Sequence, residues 1–144
     1  MVKKNRQSRF FASWVFKEFI VEYIFKEFLR MIKNDVQNID LVPKLRDPDT
    51  AKVLYGYTEI DDENKFYIYL NEGLKKEMPL KTFIHELAHC LLAKIGKNIY
   101  PIIEEIRVLQ AEKLLYECFS EKQKKRLRRF LPKIVSGRKP MGLR

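Results

Sequence analysis

The chain has 144 residues, 46% of them hydrophobic and 33% charged, with a net charge of +10. That length fits one domain, and that apolar share is ample for a core, which excludes a chain disordered throughout. Cys90 and Cys118, the only two cysteines in a sequence without export features, point to reduced thiols and a cytoplasmic location.

From about residue 10 to 34 apolar side chains recur at helical spacing: Phe11, Trp14, Val15, Phe19, Tyr23, Phe25, Phe28, Leu29 and Ile32. Charged residues at 17, 18, 22, 26, 27 and 30 form the opposing stripe, so the pattern predicts an N-terminal amphipathic helix packed on the core. The first nine residues are basic, but Lys17, Glu18, Glu22, Lys26 and Glu27 exclude a secretory apolar segment and a membrane span. Turn signals follow at Asn34-Asp35, Gln37-Asn38 and Asp47-Pro48-Asp49. Residues 51–60 and 65–70 are rich in strand-forming side chains, and the polar 61–64 between them predicts a β-hairpin. The whole predicts an α+β fold, with this small antiparallel sheet and an HExxH helix packed against a second long helix.

The HExxH helix starts near Leu80 and stops at Gly96. Inside its apolar run stands His85-Glu86-Leu87-Ala88-His89, which holds the only two histidines of the chain. Residues four apart share a helix face, so both imidazoles reach one zinc ion, and the intervening Glu86 is placed as general base. Polar side chains in an apolar helix are costly, and metal coordination is one of the few compensations. Cys90 points about 100° away from His89 and reads as a small buried side chain, not a ligand.

The second long helix runs from about Pro101 to Phe119, and a basic helix continues to about Leu131, where Pro132 breaks it. Residues 1–131 form the domain, and 132–144 form a basic flexible tail. A catalytic zinc takes three protein ligands, and no third histidine exists. On a helical wheel starting at Ile102, Glu105 and Glu112 fall at about 300° and 280°, among Val108, Leu109, Leu115, Tyr116 and Phe119. Glu105 is the preferred third ligand, and Glu112 is expected to orient a ligand histidine. Glu104, at about 200° on the wheel's border, is expected to pair with a lysine of the N-terminal helix. Cys118 or Glu112 would be needed to close a four-ligand structural site. Tyr100 is a candidate oxyanion donor by position.

The His-Glu-Leu-Ala-His motif, a glutamate on the following helix and a preceding hairpin ending in Tyr67-Ile68-Tyr69-Leu70-Asn71 resemble the minimal gluzincin metallopeptidases. The resemblance covers about residues 50 to 119 and extends to small bacterial and phage proteins of the ImmA/IrrE and SprT-like groups. It implies a cytoplasmic zinc metalloendopeptidase with metal ligands His85, His89 and Glu105 and catalytic Glu86, and a peptide or protein substrate bound as an added β-strand. The chain lacks the Glu-Ala-Asx pattern that often follows the ligand glutamate in the first group. The basic termini, Lys3 to Arg9 and Lys122 to Arg144, give an alternative: a nucleic-acid-associated protein with the zinc site as scaffold or latent.

Overall fold

The computed structural model describes residues 2–96 and 101–133. Its elements are α1 (Val2–Asn34), β1 (Val36–Val42), β2 (Gly56–Ile60), β3 (Phe66–Asn71), α2 (Met78–Ile95), α3 (Pro101–Cys118) and α4 (Glu121–Arg128). The fold is α+β, as expected. Among the described residues no helix is long and apolar enough to cross a membrane.

The predicted hairpin is present. β2 and β3 pair antiparallel from Gly56↔Leu70 to Ile60↔Phe66, so Tyr57 faces Tyr69 directly. Asp61 closes the turn, accepting from the backbone N–H groups of Glu63 and Lys65, both at 2.9 Å. The first strand is shorter than expected, because residues 51–55 belong to the preceding loop, folded around an Asp47 carboxylate that accepts from Asp49 and Thr50. β3 alternates strictly, burying Phe66, Ile68 and Leu70.

A third strand was not anticipated. β1 pairs with β3 in parallel, giving the order β1-β3-β2. Gln37-Asn38, expected as a turn, lies inside β1 at a register shift between Val36 and Asn38. Polar residues are tolerated there because β1 is an edge strand with exposed positions, and only Val36, Ile39 and Leu41 pack partly on the core.

α1 starts earlier than expected. Its core-facing side chains are Val21, Phe25, Phe28, Met31 and Ile32. Phe19 and Tyr23, assigned to the inner stripe from sequence, are 72% and 60% exposed, while Glu27 is buried and paired with Arg30. The apolar set is wider than the surface available to cover it, since α1 extends past the rest of the domain. The second long helix also differs: it ends at Cys118, and Ser120 begins a separate α4 through a capping box with Gln123. Phe119, at the joint, packs edge-to-face on Phe25 and Phe28 at 5.6 and 6.2 Å.

α2 is central, packed against β2, β3, α1, α3 and α4. Pro79 stands in its first turn and Gly96 ends it in the left-handed conformation (φ 75°). Glu77, just before it, accepts from Tyr116 at 2.5 Å and Arg128 at 2.6 Å, joining α2 to α3 and α4. The Tyr116 hydroxyl and the Arg128 guanidinium hold this carboxyl below the usual carboxylate range. A depressed folded pKa stabilises the fold above the ordinary value of 4.5, and that gain is lost as pH falls through the folded value. Glu77→Gln should therefore lower the melting temperature at neutral pH, and calorimetry should show the gap to the parent protein closing as pH falls below 4.5.

Candidate metal centre

α2 is buried on most of its circumference, yet three polar side chains leave it within five positions. His85 and His89 lie one turn apart with ring centroids 4.9 Å from each other. Their Nε2 atoms meet the two oxygens of one carboxylate: Glu105 Oε1 lies 2.9 Å from His85 Nε2, and Oε2 lies 2.9 Å from His89 Nε2. Behind the rings, Glu112 Oε1 lies 3.0 Å from His85 Nδ1 and Glu104 Oε2 lies 2.7 Å from His89 Nδ1. α3 thus supplies three glutamates to two imidazoles on α2.

The donor set tests what this arrangement is able to hold. A carboxylate accepts hydrogen bonds and donates none. A neutral imidazole has one N–H, and if that is given at Nδ1 to Glu112 or Glu104, the Nε2 lone pair faces another acceptor, Glu105. Two species relieve that opposition: a proton on each Nε2, or one cation shared by both nitrogens and the carboxylate. The ligand atoms of His85, His89 and Glu105 lie within 4.8 Å of one another, close enough to hold a metal ion jointly. Imidazole nitrogen and carboxylate oxygen are donors that zinc accepts, so the residues present fit that metal.

The structure brings together all four residues expected at the site and adds a fifth. Glu104 was expected to pair with a lysine of α1, but it holds His89. The wheel placed the inner face of α3 too far round. The buried positions Val108, Leu115 and Phe119 centre it near 240°. Glu104 is then on the inner side, and Glu105 is at the rim with its side chain 49% exposed. Exposed Leu109 had widened the apparent apolar sector. Tyr100 lies outside the described residues. Cys118 lies away from this group, lining a groove between α1 and α4. Cys90 is buried, and burial pushes its thiol up to about 12, so it is an un-ionised core side chain as expected.

Glu86 faces the opposite way, toward the sheet. Only 6% exposed, it accepts from the Thr58 hydroxyl at 2.8 Å. Burial raises its carboxyl above the usual range, against the opposing effects of the Thr58 bond and the nearby histidines. Glu86, His85 and His89 border an open cleft of about 440 Å³, with Gly56 and Thr58 of β2 on its other wall.

Sequence reading missed both β2 residues. A Cβ on Gly56 would lie 2.6 Å from Thr82 Cγ2 and 2.9 Å from Glu86 Oε2, so only glycine lets β2 approach α2 closely enough for Thr58 to reach the carboxylate. A glycine within a strand pattern is the available signal for such an approach.

Comparison with protein-family models, curated proteins and solved structures returns no match for this chain. Gly56→Ala should cost about 1–3 kcal/mol, as overpacking a tight contact does. Denaturant unfolding measures the loss, and a cost near zero would show that β2 moves away freely.

Proposed function

We propose that this chain is a zinc metallopeptidase of minimal gluzincin type that hydrolyses peptide bonds in a reducing, cytoplasmic compartment. The observation that carries the reading is the convergence of two imidazole Nε2 atoms and the Glu105 carboxylate beside a buried, hydroxyl-anchored Glu86. Zinc held by His85, His89 and Glu105 would supply Lewis acidity, lowering the pKa of a bound water to about 7 and polarising a carbonyl.

Each other role falls to a side chain of the chain itself. Glu112 and Glu104 accept at Nδ1, which fixes the tautomer and leaves each Nε2 lone pair directed inward. Glu86 is suited to general base catalysis, because a carboxyl raised toward neutrality both takes a proton and gives it back to a leaving amine. Thr58 occupies Oε1, which orients the group and assigns proton transfer to Oε2. β2 is an outer strand of the sheet and borders the cleft, so its free edge is able to pair with an extended peptide substrate. Both cysteines are free, in keeping with a reducing compartment.

Metal analysis and a peptide-cleavage assay test this reading together. His85→Ala and His89→Ala should each abolish stoichiometric zinc and lower the melting temperature, since metal binding contributes folding free energy. Glu86→Gln should retain zinc and the fold but lose hydrolysis; turnover at the parent rate would remove Glu86 from the mechanism.

The roles of the three α3 glutamates separate by zinc affinity, measured by chelator competition. Glu105→Ala should lose most. Glu112→Ala and Glu104→Ala should each weaken zinc by about 10–100-fold, the usual cost of losing a partner that orients a ligand. If either of these empties the site while Glu105→Ala does not, the assignment of the third ligand is wrong.

A further inference from the structure

The positive charge of this chain is concentrated at one end. From Lys122 onward there are ten Lys and Arg and no Asp or Glu, and the preceding 121 residues balance nineteen basic side chains against nineteen acidic ones. All of the +10 net charge therefore lies in the segment that begins with α4.

α4 divides its cations between two uses. Lys124 is buried, pairs with Glu121 and lies 4.1 Å from the centre of the Tyr116 ring, and Arg128 donates to Glu77. These two hold the helix to the domain. Lys122, Lys125, Arg126 and Arg129 are exposed, and none pairs with an acid among the described residues. Residues 1–16, 97–103 and 134–144 contain no Asp or Glu to neutralise them. Their spacing of three, four and seven positions puts all four on one helix face, over about 10 Å of axis. Exposed Lys133 follows. Like charges at such spacing repel and weaken a helix. The Ser120–Gln123 capping box and the buried Leu127 hold α4 in place despite that cost.

We infer that this face of α4 binds the phosphate backbone of nucleic acid without sequence preference. A row of exposed, unpaired Lys and Arg complements a row of phosphates and releases their counterions. A lipid surface is disfavoured as the partner, because a helix enters one through an exposed apolar face. The apolar face of α4 is spent on the core through Leu127, and a single half-exposed ring, Phe130, follows the helix. Arg126 lies 5.4 Å from the Phe25 ring centre, which fixes the stripe to α1 and to the body of the protein. The inference stands apart from the metal centre, since it uses none of its residues.

The test is fluorescence anisotropy of the full chain with a short labelled DNA duplex of arbitrary sequence, across a salt series. The parent protein should bind, with affinity falling linearly with salt on logarithmic axes. Lys122→Gln/Lys125→Gln/Arg129→Gln spares Arg126 and its contact with Phe25. It should weaken binding roughly tenfold at about 50 mM salt and reduce the slope by about 2.7, at 0.9 for each lost phosphate contact. Lys44→Gln/Lys52→Gln/Lys75→Gln removes the same charge from exposed positions elsewhere and should stay within about threefold of the parent. Circular dichroism melts check both triples for folding; if the first fails, Lys125→Gln alone serves, with a slope change of about 0.9. No binding by the parent protein, equal losses in the two triples, an unchanged slope, or binding to phosphatidylserine vesicles but not to the duplex would each overturn the inference.

Discussion

The structure turns on one conflict. α2 is the helix that every other layer packs against, and so the helix least suited to carry ionisable groups, yet His85, Glu86 and His89 stand in its middle. Burying such groups without partners costs far more than any single apolar contact returns. The surrounding elements therefore answer each one. α3 lays Glu104, Glu105 and Glu112 along the imidazoles. β2 brings a hydroxyl to Glu86 over a glycine that leaves no gap and no clash. The order of the sheet, the direction of α3 and the identity of residue 56 all follow from satisfying that seam.

Much of this was legible in the sequence, for definite reasons. His85 and His89 could be paired because helical spacing fixes which positions share a face, whatever lies around them. The hairpin was legible because β3 alternates and because Asp61 to Asn64 carry turn chemistry. The α+β class followed from these two together. β1 was hidden because an edge strand needs few apolar residues, and Gln37, Asn38 and Asp40 look like a loop when the partner strand is not known. The start of α4 was marked in the sequence by Ser120 and Gln123, three residues apart, but the helical periodicity ran on through it. Glu104 was misjudged because a wheel ranks positions by the company they keep. Leu109 and Ile106 are apolar and exposed, and they pulled the apparent inner face toward themselves. Thr58 lay beyond reach for a different reason: its role depends on a contact across 28 residues that no local pattern encodes.

The two candidate sites divide the chain's electrostatics between them. At the metal centre, carboxylates gather around two imidazoles, and local charge is set by a few groups at hydrogen-bond distance. On α4, exposed cations stand in a row without acids, and charge acts over a Debye length of about 8–10 Å. The first is insensitive to salt and the second is governed by it. α3 links them, because its inner face feeds the histidines and its far end leads through Phe119 into α4.

The parallel pairing of β1 with β3 has a kinetic meaning. The hairpin brings together residues as few as six apart, Ile60 with Phe66, whereas β1 meets β3 across thirty, Val36 with Phe66. Closing the larger loop costs about 1.4 kcal/mol more in chain entropy, from the logarithmic growth of closure cost with loop length. The hairpin is thus the cheaper element to form, and β1 gains a place to dock only once β3 exists. α1 is tied directly to β1, so the largest apolar surface in the chain, with Phe25, Phe28 and Met31, is the one that waits. During synthesis that surface emerges first and is covered late, which makes the N-terminal helix the part of this protein most exposed to aggregation before the fold is complete.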